Sequence, residues 1–330
     1  MESLTSGPQE HWIDTLILGY GMTTYHKEHL LDRAAMVLMR TMLAVQPKLQ
    51  FTPEARPDFD SLMEKTPEAA GVTYETAEIG GVAGWWCKPQ RSLPGSAIVY
   101  FHGGAYALGS AKAYRNFVSQ IAAGAETAIF VVDYRLAPEH QFPAAVEDAK
   151  AVYLGLAALG FSRLVIAGDS AGGGLALALL LLTTEGAQEE GIPKALASVV
   201  ISPWTDLALT GDSMEGRAAA DPLLTRDALD GAAQHYMGDQ DHRDPRASPL
   251  YGNMSGLPPV LFHVGEDEIL LDDSRRFASR IDVAGGVAEL HIWEGMTHVF
   301  ASNLALQSAK DALANIGEFL QQIFRETNTR

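Results

Sequence analysis

A serine works as a nucleophile only where a base takes its proton and something holds the oxyanion that its attack creates. The stretch Gly168-Asp169-Ser170-Ala171-Gly172 presents a serine of this kind. An apolar run over 164–167 stops at Gly168, and small residues lead into the leucine- and alanine-rich segment 175–179. That pattern predicts a strand, a very tight turn and a helix, with Ser170 at the tip of the turn. It fits G-x-S-x-G, in which a strained strand-to-helix turn lifts the hydroxyl above a sheet. Small residues flank the serine because the returning helix passes close to the strand. A glycine-rich turn with a helix-capping serine would share the pattern, so a base, an acid and oxyanion donors must be sought elsewhere.

Upstream, the apolar run 97–101 ends in His102-Gly103-Gly104. A strand running into His-Gly-Gly leaves backbone N–H groups free to point at a ligand, because glycine permits close approach and unusual φ. In acyl transfer those groups hold the oxyanion together with the N–H of the residue after the nucleophile, here Ala171. His102 precedes these groups and reads as a brace for the loop. The base is expected on a loop after the last strand. Of the ten histidines, His298 alone follows the final β-rich run, 287–293, on a glycine-bearing loop. The acid is expected after the preceding strand, in Gly265-Glu266-Asp267-Glu268-Ile269-Leu270-Leu271-Asp272-Asp273. Asp and Glu serve equally to fix the imidazole tautomer and stabilise the imidazolium. Periodicity does not choose between Asp267, Glu268 and Asp272, and surplus carboxylates there suit the start of a helix.

These residues need a scaffold. With 330 residues, 47% hydrophobic and 20% charged, the chain reads as globular with a sizeable core. A net charge of −17 disfavours nucleic acid and anionic membranes as partners. One cysteine, Cys87, excludes an intramolecular disulfide and a thiolate metal cluster, and it reads as strand packing. The N-terminal residues lack a basic segment and an apolar core, 175–182 is too short to span a membrane, and a cytoplasmic protein is expected. Residues 1–50 look helical: Leu30, Leu31, Ala34, Val37, Leu38, Thr41, Met42 and Val45 mark one apolar face, closed by Gln46-Pro47. Segments 72–79 and 82–87 around Gly80-Gly81 predict a hairpin. Strands at 97–101, 128–133, 163–167, 197–201, 259–264 and 287–293 then alternate with helices, which argues for a mostly parallel sheet covered on both faces. Only 204–258 breaks the alternation, with no convincing strand, and is expected to be a helical insertion packing with the N-terminal helices.

Taken together, His102-Gly103-Gly104, the block Asp133-Tyr134-Arg135-Leu136-Ala137-Pro138-Glu139-His140 with Phe142-Pro143 and Asp148, and Gly168-Asp169-Ser170-Ala171-Gly172-Gly173 resemble the hormone-sensitive-lipase-like family of bacterial α/β-hydrolase esterases. The resemblance runs from about Val72 to the C-terminus. It implies an α/β-hydrolase core over 51–203 and 259–330, with a helical cap from 1–50 and 204–258. It implies Ser170 as nucleophile, His298 as base, and Gly103, Gly104 and Ala171 as the oxyanion hole, with no cofactor and no metal. Most members carry Asp-Pro-Leu about thirty positions before the histidine; here Glu268-Ile269-Leu270 occupies that place, so Glu268 is the expected acid and Asp267 the fallback. Tyr134, Arg135 and Glu139 are expected to make buried polar contacts near the elbow, and Asp169 to brace a loop. The implied activity is hydrolysis of small, short-chain acyl esters through an acyl-enzyme, with a homodimer paired through the edge strand 287–293. An amidase or specialised ester hydrolase would share these residues. A non-catalytic small-molecule receptor on this fold would be expected to lack the base.

Overall fold

The computed structural model describes residues 21–45, 50–189 and 192–327. Among the described residues nine strands form one sheet in the order β1-β9-β8-β7-β6-β4-β5-β3-β2. They are β1 (Met22–His26), β2 (Val72–Ile79), β3 (Val82–Pro89), β4 (Ser96–Phe101), β5 (Ile129–Val132), β6 (Arg163–Asp169), β7 (Ser198–Ile201), β8 (Val260–Gly265) and β9 (Ala288–Trp293). The β2–β3 hairpin is antiparallel to its neighbours, and every other pairing is parallel. Alternation along each strand feeds two cores: Ala97, Val99 and Phe101 face one, Ile98 and Tyr100 the other. Both faces are therefore covered, as a parallel sheet requires.

The helices are α1 (Leu30–Ala44), α2 (Arg56–Met63), α3 (Ala111–Ala125), α4 (Ala144–Ala158), α5 (Ser170–Glu189), α6 (Ser213–Gly216), α7 (Arg226–Met237), α8 (Leu271–Val283) and α9 (Gln307–Glu326). Helix α5 is long and apolar enough to cross a membrane by length and composition, but 78% of that window is buried inside the fold. Segment 204–258 contains α6, α7 and a short 3-10 turn, and no strand.

The N-terminal expectations need two corrections. Residues 22–26 are a strand, and the stripe Leu30, Leu31, Val37, Leu38 and Met42 on α1, with Val45 just past its end, faces outward, Leu31 being 83% and Val45 86% exposed. The buried residues of α1 are instead Asp32 and Met36. Asp32 accepts the N–H groups of Gln307 and Ser308 at 2.8 and 2.7 Å, satisfying the free donors that begin α9. That polar anchor, absent from any apolar periodicity, sets the rotation of α1. The earlier part of 1–50 and the Gln46-Pro47 stop lie outside the described residues. The second correction concerns 287–293, which is internal and not an edge: β1 pairs along it from Met22 opposite Glu289 to His26 opposite Trp293. His26 seals the contact, stacked on Trp293 with centroids 3.8 Å apart and hydrogen-bonded to His291 at 2.7 Å. A dimer built on that strand's open edge has no open edge to use.

Candidate active site

Register brings the chemistry together. Phe101 of β4 lies beside Gly168 of β6, Asp169 beside Ile201 of β7, Ile201 beside His263 of β8, and Gly265 beside Trp293 of β9. The carboxyl ends of these strands are thus level, and the loops leaving them share one rim, where ligands of open α/β sheets bind.

Ser170 sits at φ +53, a left-handed conformation that a side chain rarely adopts. The elbow is tight enough to forbid side chains around it. A Cβ on Gly168 would lie 2.4 Å from Gly172 O, and one on Gly172 would lie 2.1 Å from Phe101 O. The turn lifts the Ser170 hydroxyl to within 2.8 Å of His298 Nε2. On the other side of the ring, His298 Nδ1 meets Glu268 Oε2 at 2.6 Å. A carboxylate only accepts, so Nδ1 carries the proton and Nε2 accepts from Ser170. Glu268 is fully buried, and the His298 side chain is 9% exposed. Burial disfavours the His298 imidazolium, yet the Glu268 charge and hydrogen bond outweigh it and raise the pKa above the ordinary histidine value.

The other carboxylates of the acid loop point elsewhere. Asp267 Oδ2 takes a hydrogen bond from Arg40 at 2.7 Å, and its Oδ1 lies 3.7 Å from Arg217. Asp272 accepts the Ser213 N–H at 2.8 Å. Asp273 is buried under Thr205 N–H and Asp206 N–H, and burial pushes its pKa up to about 8.

In the His-Gly-Gly loop, Gly104 adopts φ +115, and a Cβ there would lie 2.3 Å from Leu108 O. Ala171 lies in the first turn of α5, where N–H groups have no intrahelical acceptor. The Gly103 N–H is directed at Asp169 Oδ1, 3.1 Å away. Asp169 also accepts from Tyr100 (2.8 Å) and Tyr114 (3.3 Å), and burial raises its pKa to about 6. Buried His102 braces the loop through Nδ1 to Gly103 O at 2.8 Å and stacks on Tyr134, whose hydroxyl donates to His102 O at 2.7 Å. Arg135 and Glu139 differ from expectation: they pair with Asp148 and Arg56 at a half-exposed surface, not in the interior.

Over the rim lies a cavity of about 490 Å³ lined by Ser170, Gly104, His298, Phe51, Phe59 and Leu229. A second, of about 760 Å³, adjoins it at His298, Val299 and Leu62 and extends to Met39 and Leu43 of α1. Phe300 lines this second cavity, whereas Tyr106, Trp204 and Met214 belong to the core. Two contributors carried no motif. Ser202, just past β7, touches Glu268, and Asp221 accepts the Ile269 N–H at 3.0 Å beside it. The one signal for Ser202 is its place directly after an apolar strand. Among the described residues no group of three or more His, Cys, Asp or Glu is arranged to hold a metal ion.

Residues 98–302 match a family model described as alpha/beta hydrolase fold. An esterase of Acinetobacter venetianus is 37% identical over 287 residues, covering 86% of this chain and 93% of its own. An acetyl-hydrolase of Streptomyces hygroscopicus is 37% identical over 280 residues, covering 84% and 90%. Among solved structures, an esterase from the bacterial hormone-sensitive lipase family superposes with a TM-score of 0.81 at 37% identity, covering 88% of this chain and 97% of that one.

Proposed function

Since the chain belongs to the hormone-sensitive-lipase-like esterases of the alpha/beta hydrolase family, a carboxylic-ester hydrolase, we propose that it hydrolyses small, short-chain acyl esters through an acyl-enzyme on Ser170. The observation that carries this reading is the unbroken relay Ser170–His298–Glu268, at 2.8 and 2.6 Å, on a strained elbow. Ser170 Oγ attacks the ester carbonyl carbon as His298 Nε2 takes its proton, and Glu268 stabilises the imidazolium. The carbonyl oxygen becomes an oxyanion held by the N–H groups of Gly104 and Ala171, with Gly103 a third donor only by giving up its bond to Asp169. The carbon–oxygen bond to the alcohol breaks as His298 returns the proton to the leaving alkoxide. Water then attacks the acyl-enzyme as His298 Nε2 takes one of its protons, and the bond to Ser170 Oγ breaks as His298 returns that proton to it, releasing the carboxylic acid.

Acyl size is argued from the walls. Phe51 and Phe59 from the N-terminal side and Leu224 and Leu229 from 204–258 close over Ser170 and leave about 490 Å³. Gln50 beside them, Met39 and Leu43 on the adjoining cavity, and Leu224 and Leu229 support a cap drawn from 1–50 and 204–258, while the name acetyl-hydrolase on one relative supports a short acyl group. A chain-length series of p-nitrophenyl esters, with the matching anilide, tests the substrate class: rates should fall as the acyl chain lengthens, and the anilide should turn over far more slowly. Ser170→Ala should lower kcat on the order of a million-fold with the fold intact. Retained turnover in that variant would refute the mechanism.

A further inference from the structure

Ser202, the first residue beyond β7, is completely buried and held at φ +48. Its backbone is pinned there by its N–H donating to His263 O at 2.8 Å. The Oγ–H donates to Glu268 Oε1 at 2.7 Å, while the same oxygen accepts the Val299 N–H at 3.1 Å. A carboxylate only accepts and an amide N–H only donates, so the single hydroxyl proton has one possible direction. Val299, next to the base, is itself left-handed at φ +51. One hydroxyl therefore ties the acid loop to the base loop.

Glu268 has more torsional freedom than an aspartate, by one rotatable bond, and unheld it would swing. Here Oε1 is fixed from two directions, by Ser202 and by the Gly265 N–H at 2.7 Å, which leaves Oε2 aimed at His298. Building on the reading of Ser170, His298 and Glu268 given above, we propose that Ser202 is a positioning residue that orients the glutamate acid of the relay. Its strained backbone fits that role, since strain of this kind persists where the surroundings over-determine a functional group. Glycine would relieve the backbone, but it would leave Oε1 with one donor.

Ser202→Ala should lower kcat roughly ten- to a hundredfold with KM nearly unchanged, the span expected for one hydrogen bond to a charged group. Ser202→Gly should be equally slow although glycine adopts the left-handed backbone freely. In a Glu268→Gln background the Ser202→Ala change should cost less than about threefold more, because a residue acting through Glu268 has nothing left to orient. A Ser202→Gly variant at the wild-type rate would show a purely conformational role. A full penalty in the Glu268→Gln background would show a role not routed through the acid, and either result overturns the proposal. Should the alanine variant fail to fold, the glycine variant carries both arms. An inert Ser170→Ala beside an unimpaired Ser202→Ala would sink this inference alone, leaving the ester-hydrolase reading in place.

Discussion

On the Ser170 side of the rim, at the ends of β4 and β6, geometry is made by backbone. Ser170 is forced to φ +53, Gly104 to φ +115, and Gly168 and Gly172 leave no room for a Cβ. On the Glu268–His298 side, at the ends of β7, β8 and β9, geometry is made by side chains. Glu268 is held by Ser202 and Gly265, His298 by Glu268, and Asp267 is drawn off by Arg40. The difference matters for what each side tolerates. A turn that only glycine can make admits one residue type, whereas a carboxylate held by hydrogen bonds accepts either acid, provided the pocket fits its length.

That contrast can be broken from both ends. Glu268→Gln keeps the shape but reverses the hydrogen-bond preference at Nδ1, and kcat should drop by roughly 10⁴-fold. The pH profile carries the sign. In the proposed mechanism His298 must be neutral to take the proton, so activity should fall as pH drops through its pKa, which lies above the usual histidine value in the wild type. Although burial alone would lower that pKa, the Glu268 charge holds it up; removing the charge should move the acid limb of kcat/KM to lower pH. An unmoved limb would mean that Glu268 does not face the titrating imidazole. Gly172→Ala probes the other side, placing a Cβ 2.1 Å from Phe101 O, and should cost about 3 kcal/mol in a denaturant titration as the elbow or β4 gives way. A stable, active alanine variant would show the turn to be looser than its backbone contacts require. The smallest effect is expected at Asp267→Asn, which touches only the partly exposed pairs with Arg40 and Arg217. Ester turnover should change by less than about threefold. A loss as large as that of Glu268→Gln would move the acid to the neighbouring residue.

The N-terminal segment offers a sharper lesson in legibility. Helix α1 follows from its spacing, but its orientation does not. An apolar stripe at helical period predicts burial, and here the buried positions are Asp32 and Met36. The reason lies 275 positions away, where α9 begins with free N–H groups that Asp32 satisfies. The edge of the sheet is hidden in the same way: 22–26 is too short to declare itself a strand, and only pairing along β9 makes it one. In the core, by contrast, the short apolar runs at 97–101, 128–133, 163–167, 197–201, 259–264 and 287–293 each hold a strand, because a sheet covered on both faces buries every position of such a run.

What the sequence determines by itself is whatever depends on local backbone: the elbow, the His-Gly-Gly loop, the alternation of strands and helices, and the order serine, acid, histidine. These need glycine, or unbroken apolar runs, at particular positions, and they leave a mark in composition. Local pattern does not choose which of several carboxylates faces the imidazole; family resemblance points to Glu268, and the tertiary structure puts it there. It also decides that Gly103 is engaged by Asp169, and that a serine after β7 stands behind the acid. Those choices rest on directions and distances between residues up to 66 positions apart, and spacing along the chain carries no record of direction.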